Sequence, residues 1–333
     1  MPKQPDIGIF GAGAWGTALA MVWGREGVQV ALWGSPPEAI QELALTRCHP
    51  RLPQAELSAS VRPVTNPTEA LAAPIWVSAL PTQVTPEVWA SLNPLMKRRP
   101  ELLIHASKGI LVDSHQRLSE TLEPLLRVPV GVLSGPTFSD EVALNLPAAL
   151  VLALPMTIED ERAKQLQTLL ATPRLRIYLS RDVTGVELCG AFKNVLAIAA
   201  GLMESLGLGH NAKAALMTRG LAEMARLVEQ LGGRPETVMG LAGMGDLLLT
   251  ATGPQSRNRR FGALVGAGWS PKAAAASMGE QVVEGVATTD AALALAKSVG
   301  VELPITKVIS RLLQGEDPHA AVAHLMARSL KSE

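Results

Sequence analysis

The sequence has no excess of either charge. Thirty lysines and arginines balance 30 aspartates and glutamates, which argues against a large basic face and excludes nucleic acid as an expected partner. Charged residues make up 18% of the chain and apolar residues 47%, the composition of a packed globular protein rather than a disordered one. The length of 333 residues favours two domains over one.

Cysteine is almost absent. Cys48 and Cys189 lie far apart and have no metal-ligand spacing, so we expect neither a disulfide framework nor a metal site. This cysteine usage fits the reducing cytoplasm.

Segments that direct a chain to a membrane are not expected either. The polar start, Met1–Asp6, runs directly into a strand pattern and does not resemble a signal peptide. The most apolar long stretch, residues 183–201, contains Glu187, Lys193 and Asn194, which argue against a membrane span. We interpret it as a helix buried in protein.

Short β-type runs alternate with helical patterns in the first half of the chain. This alternation predicts a Rossmann-like α/β domain whose parallel sheet is covered on both faces. The predicted strands are Ile7–Phe10, Val28–Trp33, Ile75–Ala79, Leu102–Ala106, Val130–Leu133 and Ala149–Leu154, and the predicted helices between them include Ala14–Arg25, Pro37–Leu45 and Ser114–Leu122.

Helical patterns dominate after Tyr178, with no convincing strand beyond it. They predict an all-helical second domain, and a polar break at Ser180–Asp182 places the boundary between domains 1–180 and 181–333. The predicted helices are Val183–Ser205, Asn211–Leu231, Arg257–Val265, Thr288–Val299, Pro304–Leu313 and Ala320–Leu330.

A GxGxxG loop, residues 11–16, connects the first strand to the first helix. Gly11 permits the tight turn, Gly13 lets a pyrophosphate approach the backbone, and Gly16 allows the helix to pack closely on the strand. The helix N-terminus offers free N–H groups to phosphates. The pattern predicts a dinucleotide site, and the alternative is a purely structural glycine-rich turn.

The second strand ends beside the expected position of the adenosine ribose. NAD-selective sheets usually have an acidic residue there, but this chain has Gly34, Ser35 and Pro36. The missing acid removes a repulsion against NADP and favours its acceptance, although no arginine is adjacent in sequence to bind a 2′-phosphate. Ser35 can bind a hydroxyl or a phosphate, so NAD and NADP both remain open.

Polar residues follow several predicted strands at their carboxyl ends, where open parallel sheets bind ligands. These segments are 80–82, 107–109 and 134–137, and we expect them to line one crevice. Lys108 is the charged residue among them, which favours a role near the cofactor. A surface lysine at a loop tip is the alternative interpretation.

Lys193 interrupts a helix that is apolar almost all round. A buried ammonium needs a partner or a lowered pKa, and a pKa near neutrality suits proton transfer. Gly190 and Ala197, one turn away on either side, leave room for a ligand. The alternative is a structural ion pair with Glu187 or Asp246.

A second glycine-rich turn, residues 243–246, and a Gly-Pro turn at 253–254 precede a basic helix start. Ser256 is a suitable N-cap, and Arg257 and Asn258 occupy the first turn. A helix N-terminus with these side chains predicts a site for one phosphate. The alternative is a basic, solvated helix start.

Together these motifs resemble the bacterial-type NAD(P)-dependent glycerol-3-phosphate dehydrogenases from Ile7 to Arg328. Several blocks in fixed order are far more specific than one motif. The blocks are residues 11–20, Ala106–Gly109, Ser134–Phe138, Lys193–Asn194, Thr218–Met224, Gly243–Leu247, Ser256–Gly262 and Gln281–Gly285.

The resemblance implies oxidation of sn-glycerol 3-phosphate to dihydroxyacetone phosphate or the reverse reaction, feeding phospholipid synthesis, and it implies a homodimer. By resemblance Lys193 is the proton donor or acceptor, and Lys108 contacts cofactor and substrate. Further implied substrate contacts are Gly135, Thr137, Asp246, Ser256, Arg257 and Asn258; implied cofactor positions are Ala14, Trp15, Ser35, Ser139, Arg257, Val282 and Glu284.

Departures from the family pattern are mild. Ala14 stands where serine is frequent, Ser139 where alanine is common, and Ser35 where many members have histidine or arginine. The last departure leaves the choice of cofactor open.

Two other functions fit parts of the pattern. A β-hydroxyacid dehydrogenase also joins such a sheet domain to a helical domain with a lysine, but it needs a carboxylate site in place of Ser256, Arg257 and Asn258. A non-catalytic NAD(P) sensor would have no need of a proton donor such as Lys193.

Overall fold

The structure is a computed structural model that describes residues 3–279 and 283–326, with side chains described as far as residue 323. The described chain divides into two compact units. The first comprises residues 3–107 and 117–183, and the second comprises residues 108–116 and 184–326. The short segment 108–116 therefore places Lys108 in the second unit.

The first unit is built on one eight-stranded sheet in the order β3-β2-β1-β4-β5-β6-β7-β8. All neighbouring strands are parallel except β6 and β7, which are antiparallel. The strands are β1 (Ile7–Phe10), β2 (Val30–Trp33), β3 (Val61–Val64), β4 (Ile75–Ser78), β5 (Leu102–His105), β6 (Val130–Ser134), β7 (Ala148–Ala153) and β8 (Leu175–Ser180).

The six predicted strands are present and the Rossmann-like fold class is confirmed, with one departure from the predicted parallel sheet: β6 and β7 are antiparallel. The connection between β6 and β7 contains a helix, Ser139–Ala143, of only five residues. That helix rises about 7 Å, whereas a five-residue strand is about 16 Å long, so it is shorter than the crossover helices that usually return a chain to the start of a parallel neighbour. The chain returns as an antiparallel neighbour instead.

The sequence prediction also missed both edge strands. β3 contains Arg62 and Pro63, and proline is tolerated there because an edge strand does not need every N–H for the ladder. In β8, exposed Arg176 and Tyr178 alternate with buried neighbours. Neither segment shows the continuous apolar run by which the inner strands were identified.

Seven helices flank the strands in the described part of the first unit. One prediction is wrong: the helix expected at Ser114–Leu122 lies at Leu118–Leu126, because Glu120 Oε2 accepts the Arg117 N–H (2.8 Å) and fixes the start there. The helices are α1 (Ala14–Arg25), α2 (Pro37–Thr46), α3 (Pro67–Leu71), α4 (Thr85–Leu92), α5 (Leu118–Leu126), α6 (Ser139–Ala143) and α7 (Asp160–Leu170).

The second unit is helical throughout its described residues. The predicted helix Thr288–Val299 begins four residues earlier, and the predicted helix Ala320–Leu330 is described only to Met326. The helices are α8 (Val183–Ser205), α9 (Gly209–Gln230), α10 (Pro235–Val238), α11 (Asp246–Thr252), α12 (Arg257–Gly266), α13 (Pro271–Ser277), α14 (Glu284–Ser298), α15 (Pro304–Leu313) and α16 (Pro318–Met326), with a π-helical turn at Leu241–Gly245.

Helix α8 forms the centre of the second unit, where every residue from Gly185 to Leu202 is buried. It is long and apolar enough to cross a membrane, but 94% of its most apolar window is buried inside the protein. Burial of that kind is typical of a core helix, as the sequence predicted.

Candidate active site

The glycine-rich loop lies between β1 and α1 in the first unit. Gly11 has a φ of +113°, and a Cβ there would lie 2.7 Å from the Ala79 carbonyl oxygen. A Cβ on Gly16 would lie 2.0 Å from the Gly11 carbonyl oxygen, so both glycines are required by packing. Gly13 differs, because a Cβ there would meet nothing within 4 Å. The fold has no need of glycine at position 13, and the open space leaves the backbone there accessible to a ligand.

Three buried polar atoms, in the glycine-rich loop or at the carboxyl ends of strands, have no hydrogen-bond partner among the described residues. They are Trp15 Nε1, Thr82 Oγ1 and Ser134 Oγ. Trp15 belongs to the glycine-rich loop, whereas Thr82 and Ser134 lie at the carboxyl ends of β4 and β6. Buried polar atoms are rarely left unsatisfied. These donors and the open space at Gly13 therefore fit the phosphate and amide groups of a dinucleotide.

The remaining predicted positions of the first unit have different surroundings. Ser35 is exposed after β2, and Ser139 begins α6. Gly135 has a φ of +151°, and a Cβ there would lie 3.0 Å from the Ala149 carbonyl oxygen, so the sheet itself requires this glycine. The Thr137 hydroxyl donates to the Gly135 carbonyl (3.3 Å). Val282 lies outside the described residues.

The second unit brings Lys108, Lys193, Asp246 and Thr250 together, and we call this group the lysine–aspartate cluster. Lys193 Nζ donates to Asp246 Oδ1 (2.6 Å), and Lys108 Nζ donates to Asp246 Oδ2 (2.5 Å). Asp246 is 1% exposed and Lys193 is 6% exposed. One buried carboxylate therefore holds two ammonium groups.

Sequence reasoning did not find Thr250, although its spacing contains a signal. Thr250 follows Asp246 by four residues on α11, which places both side chains on one face of the helix. Its hydroxyl donates to the Asp246 carbonyl (2.6 Å) and accepts from Lys193 Nζ (2.8 Å). Lys193 is thus fixed by two oxygen acceptors from one helix.

Burial lowers the pKa of Lys193 to about 8. Removal from water is the largest cause, since it disfavours the charged form. The carboxylate of Asp246 opposes the shift, while the charge of Lys108 adds to it. A pKa of about 8 allows Lys193 to exchange a proton near neutral pH. Its ion-pair partner is Asp246, one of the two carboxylates that the sequence analysis left as alternatives.

Asn194, the neighbour of Lys193 on α8, connects several parts of the second unit. Its Nδ2 donates to the Lys108 carbonyl (3.1 Å) and to Glu284 Oε2 (3.3 Å). Its Oδ1 accepts from Asn258 Nδ2 (2.9 Å), and Asn258 Oδ1 accepts from the Gly285 N–H (3.0 Å). The Asn258 side chain, predicted to bind substrate, therefore keeps only one amide N–H free of these hydrogen bonds.

Burial also raises the pKa of Glu284, the first residue of α14. The charges of Arg257, Lys193 and Lys108 oppose that shift, which shows that Arg257 and the lysines act electrostatically on one carboxyl group. The structure thus assembles an array of cations around few carboxylates, suited to an anionic ligand.

Helix α12 begins as predicted, with Ser256 as its N-cap: the Ser256 hydroxyl accepts from the Arg259 N–H (3.2 Å). The arginines of its first turn differ in their partners. Arg259 binds both oxygens of Glu204 (2.8 Å each), and Arg260 Nε donates to Met278 Sδ (3.3 Å). Arg257 is exposed and makes no ion pair with a described residue. It is therefore available to an anion at this helix N-terminus.

The sheet with its glycine-rich loop and the helical unit with its buried lysine of lowered pKa define an NAD(P)-dependent dehydrogenase. Comparison with known proteins agrees. Residues 6–160 match the family described as NAD-dependent glycerol-3-phosphate dehydrogenase N-terminus, and residues 182–324 match the corresponding C-terminus. The chain belongs to the NAD-dependent glycerol-3-phosphate dehydrogenase family, as the sequence motifs predicted.

Curated bacterial relatives match the chain over its full length. It is 44% identical over 336 residues to the glycerol-3-phosphate dehydrogenase (NAD(P)+) of Thioalkalivibrio sulfidiphilus, with 99% of both chains covered. The enzyme of Geobacter sulfurreducens is also 44% identical, with 98% of both covered. The crystal structure of glycerol-3-phosphate dehydrogenase from Coxiella burnetii superimposes with a TM-score of 0.91 at 40% identity, covering 98% of this chain and 99% of that one.

Family membership decides between the functions left open by the sequence. The chain is an oxidoreductase that uses NAD or NADP and a small-molecule substrate. Neither the β-hydroxyacid dehydrogenase nor the non-catalytic sensor accounts for matches that extend over both halves of the chain.

Proposed function

We propose that the chain interconverts dihydroxyacetone phosphate and sn-glycerol 3-phosphate, with Lys193 as the proton donor and acceptor. One observation carries this proposal: Lys193 is buried, has a pKa of about 8, and is held by Asp246 and Thr250. The names of the curated relatives support the substrate. The nicotinamide cofactor, when bound, supplies or takes up the hydride.

The residues of the second unit provide proton transfer, charge stabilisation and substrate binding. In the reducing direction, Lys193 Nζ gives its proton to the forming alkoxide, and Lys108 adds positive charge beside it. Asp246 keeps both ammonium groups in place. Ser256, Arg257, Asn258 and the α12 N-terminus bind the substrate phosphate, and this remote binding orients the carbonyl for reaction.

The proposed division of the chain is 1–180 for the cofactor and 181–333 for the substrate, with Lys108 added to the second group. Proposed substrate contacts are Lys108, Gly135, Thr137, Lys193, Asp246, Ser256, Arg257 and Asn258. Proposed cofactor contacts are Gly11, Gly13, Ala14, Trp15, Gly16, Ser35, Lys108, Ser139, Arg257, Val282 and Glu284. Their support is the family pattern and the geometry described above.

The wider role of the chain rests on the resemblance. We propose that it supplies glycerol 3-phosphate for phospholipid synthesis in the cytoplasm and that it works as a homodimer through its helical domain. Sedimentation equilibrium checks the last point, since a mass equal to one chain would contradict it.

The pH dependence should reverse between the two directions of the reaction. Reduction needs protonated Lys193, so kcat/KM for dihydroxyacetone phosphate should fall as the pH rises through about 8. Oxidation needs the neutral amine, so kcat/KM for glycerol 3-phosphate should rise through the same pH. Initial rates in both directions between pH 6 and 10 measure this, and profiles that run in parallel would exclude Lys193 as the titrating group.

Arg257→Ala should raise KM for dihydroxyacetone phosphate about tenfold to a hundredfold, because a charge-assisted hydrogen bond contributes roughly 1.5–3 kcal/mol. At saturating cofactor, the kcat/KM for unphosphorylated dihydroxyacetone should hardly change. Arg260→Ala is the matched control, since it removes an arginine from the same turn that contacts Met278 instead. An unchanged KM in the Arg257 variant would refute the phosphate assignment.

A further inference from the structure

The segment after α2, residues 47–57, forms a tightly held loop in the first unit. Arg47 Nη2 donates to the carbonyls of Leu57 (3.2 Å) and Val61 (2.9 Å). Leu52 and Leu57 are buried in the hydrophobic core. Because its backbone and apolar side chains are anchored in this way, the loop presents its polar side chains from a fixed position.

His49 joins this loop to the glycine-rich loop. The imidazole is 9% exposed, and its Nδ1 accepts a hydrogen bond from the Arg51 N–H (3.1 Å). The neutral ring therefore carries its proton on Nε2. Burial, and next the charge of Arg51, lower the pKa of His49, while a hydrogen bond with the backbone of Ala12 opposes the shift. Arg51 thus lies two residues from a side chain that is attached to the glycine-rich loop.

Arg51 is exposed and forms no ion pair with any of the described residues. In this it differs from Arg47, whose guanidinium is occupied by backbone carbonyls. The charge of Arg51 nevertheless acts on His49. An exposed arginine is thereby held two residues from His49, whose ring is hydrogen-bonded to the backbone of Ala12 in the glycine-rich loop.

The end of β2 meets the same part of the glycine-rich loop. A Cβ on Gly34 would lie 2.7 Å from Ala12 Cβ and 2.9 Å from Ala12 N, so Gly34 packs directly against Ala12. Ser35 follows and is exposed. In sheets of this type the adenosine ribose lies at the end of β2. Ala12 is therefore a common neighbour of Gly34, which precedes Ser35, and of His49, which lies two residues from Arg51.

We propose that Arg51, together with the Ser35 hydroxyl, binds the 2′-phosphate of NADP. A guanidinium binds phosphate with two parallel hydrogen bonds, whereas the 2′-hydroxyl of NAD offers it no charge. The sequence has no arginine next to Ser35, and the fold supplies one from 16 positions further along. This inference rests on the proposed dinucleotide site and concerns its selectivity.

Equilibrium binding tests this assignment without a turnover measurement. Isothermal titration gives the Kd of NADPH, NADH, adenosine 2′,5′-bisphosphate and 5′-AMP for the wild-type chain and for Arg51→Gln. The variant should weaken NADPH and the bisphosphate about tenfold to a hundredfold and change NADH and 5′-AMP less than about twofold. Arg51→Lys should restore part of the loss, since it keeps the charge but not the paired donors.

Arg98→Gln is the matched control, because Arg98 is also exposed but precedes β5 and so lies at the amino ends of the strands, away from the carboxyl ends where such sheets bind ligands. It should leave all four Kd values unchanged. An unchanged Kd of NADPH in Arg51→Gln would overturn the proposal. Equal losses for NADH and NADPH would also overturn it, since they would place Arg51 at the pyrophosphate. A wild-type chain that binds neither dinucleotide would instead refute the proposed cofactor site.

Discussion

Replacing Lys193 with methionine should lower kcat about 10²–10⁴-fold in both directions, the range typical of losing one general acid or base. Methionine fills similar space in the α8 core, so the fold should persist, and the Kd of the dinucleotide should change little. Stopped-flow or steady-state kinetics measure kcat, and titration measures the Kd. Wild-type turnover in this variant would remove Lys193 from the chemistry.

Lys193→Arg separates proton transfer from charge. Arginine keeps the positive charge but does not lose its proton in proteins, so this variant should remain nearly as slow as Lys193→Met if the proton is what matters. Recovery of most of the activity would instead assign Lys193 a purely electrostatic role. Lys272→Met, an exposed lysine on α13, is the control for the loss of one lysine and should behave as wild type.

Asp246→Asn should have the second large effect, because it leaves Lys108 and Lys193 close together without their common carboxylate. Breaking a buried ion pair by removing one partner costs about 3–5 kcal/mol of unfolding free energy. The carboxylate of Asp246 raises the pKa of Lys193, so its loss should lower that pKa further below 8. The rate of the reductive reaction at pH 8 should fall, and the midpoint of its pH–rate profile should move to lower pH.

The sign of the stability effect follows from the same pKa. The pKa of Lys193 is lower in the folded protein than in the unfolded chain, so its charged form lowers the free energy of unfolding at low pH. This loss of stability disappears as the pH rises past both the folded and the unfolded pKa. The destabilisation of Asp246→Asn should therefore shrink between pH 7 and pH 10 in urea titrations. Glu229→Gln, an exposed carboxylate on α9, should show neither effect. A pH profile identical to wild type would contradict the proposed role of Asp246.

Local patterns predicted the elements that depend on consecutive residues. The glycine spacing predicted the turn at Gly11, where φ is +113°, and the apolar run predicted the buried helix α8. Ser256 was identified as an N-cap from its position before a helical pattern. The sequence patterns did not predict the edge strands β3 and β8, because an edge strand tolerates polar residues and proline.

The sequence by itself determined the fold class, the family and the proposed site residues, because turn, cap and periodicity signals are contained in neighbouring residues. Only the tertiary structure decided which carboxylate serves Lys193. Asp246 lies 53 positions from Lys193 and 138 from Lys108, and the sequence left Glu187 and Asp246 as alternative partners of Lys193. The structure likewise brought His49, two residues from Arg51, to the backbone of Ala12 in the glycine-rich loop. Ion pairs and ligand contacts depend on distance in space, which long-range packing sets.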